Sequence, residues 1–446
     1  MTNAELHYKK MTETPVSMLI VKLGIPTTIS MLITSIYNMA DTYFVGTLGP
    51  SAQAATGVLF TLQAIIQGIA FMLGQGGGTF ISRELADKNT DGASMYVSSS
   101  FFIGGGIGVF ILGVGMLFLS PMVRFLGSTE TILPYAMDYG FWVLISAPMV
   151  ICSMILNNGL RYEGKAFYAM FGLTAGGLIN ILGDYLLVLK LNLGVYGAGM
   201  ATAVSQTISF LILLYMFRKM SQSRIHVKYV SRDIKVYLSI CRVGLPSLIR
   251  QGLTSVTSGV LNNLTKPFGD AAIAAMSVVS RYSMFMMCVG LGMGQGFQPV
   301  ASFNYQAKKY DRVKKGLIFI ICFGLVFVGS ICISSMIFSE SVIALFQKKE
   351  EVITIGSLAL RFACCGMLFM PFSVPVNMLY QSIQKPTISS VLSMIRSGAI
   401  TIPILILGVP LFGLTAIQLA QPIADVLAGL ISIPFIIHFL KSKQHT

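Results

Sequence analysis

The chain has 446 residues, of which 54% are hydrophobic and only 11% are charged. A soluble globular protein carries about a quarter charged residues, so this composition excludes a soluble domain. It predicts an all-α integral membrane protein.

The chain opens with a polar segment, residues 1–15, for which we expect no cleaved signal peptide. Apolar stretches long enough to cross a hydrocarbon core of roughly 30 Å then recur along the chain. They predict twelve transmembrane helices, at 16–45, 54–80, 94–121, 133–160, 166–189, 194–218, 237–266, 271–300, 315–338, 352–380, 386–408 and 412–440.

The net charge of the chain is +14, and most of its basic residues lie in the loops between these spans. With the N-terminus in the cytoplasm, most basic residues fall inside, including Lys443 and the run from 218 to 242. The basic residues that fall outside are Arg124, Lys190, Lys266, Lys348 and Lys349. Cytoplasmic loops of membrane proteins are enriched in Lys and Arg. The pattern predicts a multi-pass protein of a prokaryotic inner membrane with both termini cytoplasmic, and it argues against nucleic-acid binding.

Two halves of the sequence resemble each other at an offset of 220 residues. Gly24-Ile25-Pro26 corresponds to Gly244-Leu245-Pro246, and Gly74-Gln75-Gly76 to Gly294-Gln295-Gly296. The repeat predicts two six-helix lobes related by a pseudo-two-fold axis along the membrane normal. We expect an N-terminal lobe at 1–218, a cytoplasmic linker at 219–236 and a C-terminal lobe at 237–446.

The paired openings of the two halves, with Asp41, Gly46 and Gly49 in the first and Gly269 in the second, carry a family resemblance. Together with Asn180-Ile181-Leu182-Gly183-Asp184, they make the chain similar to multidrug and toxic compound extrusion (MATE) transporters of the prokaryotic branch with an aspartate in the first helix. The resemblance implies a V-shaped pair of lobes and efflux driven by protons or sodium ions. It further implies a helix-bending role for Pro26 and a cation-coupling set that consists of Asp41, Asn180, Asp184 and Thr202.

Buried acids support that implication on physical grounds. An ionised carboxylate inside a membrane is costly and is a functional-site hypothesis by default. Asn180 and Asp184 are four residues apart and share a helix face, so the amide is placed to donate to the carboxylate. Two converging carboxylates favour a shared proton, whereas the same oxygens could supply part of a sodium shell. The alternative is that Asp41 or Asp184 is a solvated helix cap.

The spans of the second half contain basic residues, whereas those of the first half contain the acidic residues Asp41 and Asp184. Leucine replaces aspartate at position 261, the equivalent of Asp41, whereas the second-half spans contain Arg250, Arg281, Arg361 and Arg396. These arginines are either structural hydrogen-bond donors or a cationic wall that faces an anionic or zwitterionic substrate. Adaptable or polar side chains within the spans form a predicted substrate cavity, with ordinary helix packing as the alternative. The predicted cavity residues are Tyr37, Asn38, Gln63, Gln67, Trp142, Met149, Asn157, Asn158, Arg250, Met284, Met287, Gln298, Asn377 and Arg396.

Other motifs argue against enzymatic or cofactor chemistry. The glycine clusters lack the context of a phosphate loop and favour close helix contacts instead. The seven cysteines form no CxxC pair, and no catalytic constellation recurs. We expect no enzyme activity, no cofactor and no metal beyond a coupling Na⁺. The sequence predicts a monomeric exporter that exchanges small amphipathic compounds for protons or sodium ions by alternating access within membrane lipid. A flippase for an anionic or lipid-linked amphiphile and a non-transporting receptor are the alternatives.

Overall fold

The computed structural model describes residues 3–347 and 349–442, so Lys348, Lys443 and the extreme termini of the predicted topology lie outside them. Within these residues the structure contains helices and connecting turns and no strand. The first-half helices are α1 (Asn3–Glu13), α2 (Val16–Gly46), α3 (Pro50–Ala86), α4 (Thr90–Leu117), α5 (Leu119–Phe125), α6 (Leu133–Tyr162), α7 (Ala166–Asp184) and α8 (Gly194–Met220).

The second half repeats this order. Its helices are α9 (Ile234–Thr265), α10 (Gly269–Gln306), α11 (Tyr310–Ile337), α12 (Ser339–Ala344), α13 (Glu350–Met367), α14 (Met370–Ser382), α15 (Pro386–Met394), α16 (Thr401–Phe412) and α17 (Leu414–Lys441). Helix α11 begins and ends 220 residues after α4 does, which is the offset of the sequence repeat.

Ten helical stretches of the described residues are long and apolar enough to cross a membrane, and the bent pair α13 and α14 would be an eleventh. One of the ten, Ile234–Gln306, contains both α9 and α10. The part of the chain that the structure describes therefore has twelve apolar helical segments, in agreement with the twelve predicted spans.

The tenth span departs from the single helix predicted at 352–380. Helices α13 and α14 bend by 46° at a short break. Pro371 lies in the first turn of α14. Its ring removes a backbone donor and would clash with the carbonyl of Met367, where α13 ends. The eleventh predicted span, 386–408, is likewise interrupted, by a π-helical turn at Ile395–Ala399 between α15 and α16.

The chain divides into two compact units. The first comprises Lys22–Leu248 and the N-terminal residues up to Thr14, and the second comprises Pro15–Val21 and the chain from Ile249 onward. Helices α2 and α9 therefore each contribute to both units. Pro26 lies within α2, shortly after this division, and its role in bending stays a prediction.

Each unit has its own apolar core. Buried side chains such as Leu59, Leu73 and Leu144 pack together in the first unit. Val328, Leu360 and Leu405 do so in the second. An asparagine bonds to the following helix at equivalent positions in both: the Asn157 amide donates to the Ala169 carbonyl (3.0 Å), and the Asn377 amide to the Ser389 carbonyl (2.6 Å). The duplication thus extends to individual side-chain contacts.

The polar linker predicted at 219–236 is bound to the first unit along its length. Glu163, fully buried after α6, accepts hydrogen bonds from the Ser221 hydroxyl (2.6 Å) and the Gln222 N–H (2.8 Å). The Ser94 hydroxyl of α4 accepts from the Arg224 N–H (2.9 Å), and the Ser99 hydroxyl accepts from a later linker N–H. Backbone groups of the linker are therefore paired with side chains, as burial requires.

Electrostatics keep Glu163 ionised. Burial by itself would raise the pKa of this carboxyl, but Lys165 and the hydrogen bonds from Ser221, Ser223 and Gln222 outweigh burial and lower the pKa below its ordinary value of 4.5. A carboxyl with a lowered pKa in the folded state stabilises the fold at neutral pH. That stabilisation is lost as the pH falls below about 4.5 through the folded-state pKa.

We therefore expect Glu163→Gln to loosen the linker at neutral pH. The substitution removes the negative charge and places an amide N–H₂ group against the donors that Glu163 had accepted from. Each buried donor left without an acceptor lowers the stability by about 1–3 kcal/mol. Trypsin should cleave after Arg224 and Lys228 faster than in the wild type, and the difference should shrink below pH 4.5. Glu13→Gln, at an exposed acid of α1, is the matched control. Equal cleavage rates in all three proteins would contradict the anchoring role.

Candidate cation-coupling site

A cavity in the form of a cleft, with about 490 Å³ of space free of protein atoms, open solvent included, lies in the first unit. Helices α2, α3, α6 and α8 supply its walls. Asp41 is the only charged side chain among the lining residues. The lining residues are Tyr37, Asn38, Asp41, Gln63, Ile66, Gln67, Tyr139, Val143, Ser146, Val150, Thr202 and Gln206.

Asp41 is buried and hydrogen-bonded rather than a solvated helix cap. Its side chain has a relative exposure of 9%, and the Tyr139 hydroxyl donates to Oδ2 at 2.8 Å. The Gln63 amide approaches the same hydroxyl at 3.5 Å, and Thr202 also bonds to it. Tyr139 therefore connects the acid on α2 to polar groups on α3 and α8.

Asp184 is fully buried at the end of α7. Neither of its carboxyl oxygens has a hydrogen-bond partner among the described residues, and it lies within electrostatic range of Asp41. A π-helical turn, Tyr185–Lys190, follows it directly. Single π-turns within helices occur frequently at functional sites. Asp184 is thus not a solvated cap either.

Asn180 does not donate to Asp184 as its position four residues earlier had led us to expect. Its amide donates instead to the Thr202 hydroxyl of α8, at 3.3 Å. Small residues bring α7 and α8 close together, since Gly183 packs against Ala201. A neighbouring helix therefore offers a nearer acceptor than the same helix face does.

The structure brings the four predicted coupling residues into one region with a surplus of acceptors. Four buried oxygens have no donor among the described residues: Asp41 Oδ1, Asn180 Oδ1 and both carboxyl oxygens of Asp184. Buried acceptors without donors are unfavourable. A proton on a carboxyl or a hard cation among the oxygens would each satisfy them. No group of three or more His, Cys, Asp or Glu side chains with metal-binding geometry occurs within 3–347 and 349–442.

Four of the predicted substrate-cavity residues, Tyr37, Asn38, Gln63 and Gln67, line this cavity. The Tyr37 hydroxyl accepts from the Gln206 amide at 3.4 Å.

Four other first-half predictions lie outside the lining. Trp142 packs edge-on against Tyr196, Met149 is half-buried on α6, Asn157 bonds to Ala169, and Asn158 accepts from the Arg161 guanidinium. Their role in substrate binding stays a prediction.

Tyr139 and Gln206 are two lining residues that the sequence analysis did not predict and that hydrogen-bond to predicted site residues. Tyr139 follows the exposed Asp138 on α6, and nothing in the local sequence distinguishes it from other tyrosines. A buried tyrosine hydroxyl usually has a hydrogen-bond partner, but this rule does not show which residue the partner is.

A second, smaller cavity of about 280 Å³ lies inside the second unit, and Arg250, Asn377 and Arg396 line it. Arg396 is buried and pairs with Asp425. Met287 contacts Arg396 through sulfur, whereas Gln298 donates to Gln381 and Met284 is 46% exposed, all three outside the lining.

The other two of the four arginines singled out in the second-half spans, Arg281 and Arg361, do not line this cavity. Arg361 bonds to Ser339 and lies near Glu340, and Arg281 is exposed.

The described residues contain twelve apolar helical segments in two repeated units, and each unit contains a cavity. This arrangement indicates a multi-pass helical membrane protein of the transporter class. Comparison with known proteins narrows the class. The sequence profile named MatE matches residues 26–186 and 246–407, which is most of the chain. The chain belongs to the MATE family, and the predicted fold class of twelve transmembrane helices in two lobes is confirmed.

Relatives cover nearly the full chain. The chain is 26% identical to the multidrug export protein MepA of Staphylococcus saprophyticus over 94% of its length and 93% of that protein. It is also 26% identical to MepA of Staphylococcus aureus, over 99% of the chain and 98% of that protein.

Solved structures share the fold. An outward-facing multidrug resistance MATE family transporter of the MOP superfamily superposes with a TM-score of 0.90 at 23% identity, over 100% of this chain and 99% of that one. A MATE structure in complex with MaL6 gives a TM-score of 0.90 at 24% identity, over 99% and 100%.

Proposed function

We propose that this protein is a secondary active exporter that moves small amphipathic compounds out of the cell in exchange for protons, by alternating access. One observation carries the proposal: Asp41 and Asp184 are buried within electrostatic range of each other in the first unit, and no described residue donates a hydrogen bond to Asp184. Burial of a carboxyl without a hydrogen-bond donor is costly, and binding of a proton or of a metal cation would offset that cost. Gain and loss of a proton at Asp184 would therefore follow access of water to this region from one side of the membrane or the other.

The names of the relatives support the direction and cargo of transport. Two staphylococcal proteins that match nearly the whole chain are called multidrug export proteins. The first-unit cavity combines two tyrosines, several amides and one carboxyl, a lining suited to organic cations of varied shape. We propose the prokaryotic inner membrane as the location, with both termini cytoplasmic and the monomer as the working unit.

Sodium coupling is the second candidate for the driving ion. The specific observation that favours it is that four oxygens of Asp41, Asn180 and Asp184 accept no hydrogen bond from any residue that the structure describes. Na⁺ is a hard cation and takes oxygen ligands of this kind. Pumping by either ion would use the same side chains, so the driving gradient decides between them.

The proposal is tested in proteoliposomes with ethidium, a permanently charged cation. With the membrane potential clamped by valinomycin and K⁺, an acidic interior at equal Na⁺ should drive ethidium uptake. A Na⁺ gradient at equal pH should drive uptake if sodium is the coupling ion. No ethidium uptake under either gradient would contradict active exchange and favour the non-transporting receptor. Gradient-independent redistribution of a fluorescent anionic lipid would favour the flippase.

A further inference from the structure

The linker between the two halves carries a concentration of exposed positive charge. It contains one acid, Asp233, and five basic residues, which are Lys219, Arg224, Lys228, Arg232 and Lys235. The last four are exposed, and none of them forms an ion pair within the residues that the structure describes. The enrichment of cytoplasmic loops in basic residues accounts for the sign of this charge, but not for the position in which the linker is held.

The linker runs along the side of α4 rather than above it. Three serines of α4 accept hydrogen bonds from linker N–H groups: Ser94 (2.9 Å), Ser98 (3.2 Å) and Ser99 (3.0 Å). At 1.5 Å per residue, the 28 residues of α4 extend about 42 Å, which matches a bilayer with its headgroups. The three serines lie about 6–14 Å from the first residue of the helix. Residues 224–231 are therefore held at the depth of the lipid headgroups and the first part of the acyl chains.

Exposed apolar side chains are interspersed with the basic ones. Val227 is 67% exposed in the short 3₁₀ turn Val227–Tyr229, and the Lys228 ammonium lies 4.7 Å from the centre of the Tyr229 ring. Ile234 and Leu238 are 65% and 61% exposed and, four residues apart, share a face of α9. Apolar side chains beside Lys and Arg are typical of segments that bind an anionic membrane surface.

A soluble polyanion fits these observations less well than a lipid does. It would neutralise the positive charge but leave Val227, Ile234 and Leu238 in water, where apolar surface is unfavourable. An anionic phospholipid complements both features, because its phosphate can bind the basic groups and its acyl chains can cover the apolar side chains.

We propose that residues 224–238 form a binding site for anionic phospholipid in the leaflet beside the linker. Arg224, Lys228, Arg232 and Lys235 contact the headgroup phosphate, and Val227 contacts the acyl chains. The whole site belongs to the first unit. Lipid binding goes beyond the proposed export function and does not depend on it.

Tryptophan fluorescence in nanodiscs tests the proposal. Val227→Trp places a reporter on the linker, and the signal of Trp142, the single native tryptophan, is subtracted by means of the wild type. The discs mix phosphatidylglycerol with phosphatidylcholine, and one of the two lipids carries brominated acyl chains, which quench a tryptophan only on contact. Quenching by each lipid, divided by that lipid's share of the disc, gives the local enrichment of phosphatidylglycerol.

We expect phosphatidylglycerol to be enriched about fivefold or more at position 227, because one Lys or Arg near an anionic surface strengthens binding by about fivefold. Lys228→Gln combined with Arg232→Gln should lower the enrichment by about threefold or more. Salt at about 1 M, which shortens the screening length to about 3 Å, should do the same in the wild-type linker.

Two controls separate this site from general lipid contact and from net charge. Phe110→Trp places the reporter at a 68% exposed position of α4, a helix without Lys or Arg, and should show no enrichment. Lys308→Gln combined with Lys315→Gln removes two exposed basic residues of the second unit and should leave the enrichment at position 227 unchanged. Thermal unfolding of every variant confirms that it is folded.

Three outcomes would overturn the proposal. The first is quenching at position 227 without preference for phosphatidylglycerol, and the second is an enrichment that survives the loss of Lys228 and Arg232. The third is absence of quenching by either lipid, which would assign the positive charge to a soluble anion instead. Because neither an ion gradient nor cargo is present, the result is independent of whether ethidium is exported.

Discussion

Asp184→Asn is expected to reduce gradient-driven ethidium uptake to the level of protein-free liposomes. Asparagine has nearly the same shape but cannot take up or release a proton, so the exchange would lose its ion. Asp184 is fully buried and has no donor among the described residues, so loss of its charge breaks no hydrogen bond. Removing an uncompensated buried acid should leave the thermal unfolding midpoint equal or higher.

Asp41→Asn should have the same effect on transport, because an asparagine oxygen can still accept from Tyr139 while the charge is lost. Asp138→Asn is the matched control, since Asp138 lies on α6 beside Tyr139 but is exposed. We expect it to transport at the wild-type rate. Retention of uptake against a gradient by the Asp184 variant, with a folded protein, would refute proton coupling through this carboxyl.

Gly244→Ala is expected to have the largest effect on stability. In the first unit, a Cβ at Gly244 of α9 would lie well inside van der Waals contact with the Met72 carbonyl of α3. A Cβ at Gly76 of α3 would likewise overlap the Ile240 carbonyl of α9. Backbone atoms cannot yield as a flexible side chain can. The two helices therefore touch through their main chains at both glycines.

Overpacking costs typically about 1–3 kcal/mol and occasionally more, and the upper end applies where the backbone must move. We expect Gly244→Ala and Gly76→Ala to lower the thermal unfolding midpoint by about 5 °C or more in detergent. Gly252→Ala and Gly57→Ala, on the same two helices with no atom within 4 Å of the added Cβ, are the controls. Alanine favours helix over glycine by about 1 kcal/mol, so these should be neutral or stabilising. Equal midpoints in all four variants would disprove the close contact.

The sequence determined the architecture because hydropathy and helix length are local properties. The apolar spans appear as helices, and the offset between the halves recurs in α4 and α11 and in the Asn157 and Asn377 bonds. The glycine cluster at 74–78 was predicted to mark close helix contacts, and its glycines do meet Asn158, Ser100 and Tyr162. The break at Pro371 was also encoded locally, yet a proline within an apolar span does not by itself show whether the helix bends or stops. Pro26 lies inside an uninterrupted helix.

The sequence also indicated which acids to examine, but not their partners. The sequence shows acidic residues within the first-half spans and basic residues within the second-half spans. The two cavities have the same distribution, because Asp41 lines the first and two arginines line the second. The expected bond from Asn180 to Asp184 did not form, because helix spacing shows only which groups share a face.

Only tertiary packing decided which distant side chains are in contact. Tyr139 reaches Asp41 across 98 residues, and Asn180 reaches Thr202 on the next helix. Arg396 and Asp425 come together only because α17 packs beside the π-turn. The physical reason is that hydrophobic burial selects a helix and its buried face from nearby residues. A hydrogen bond between distant helices depends on how their surfaces fit, which no local pattern records.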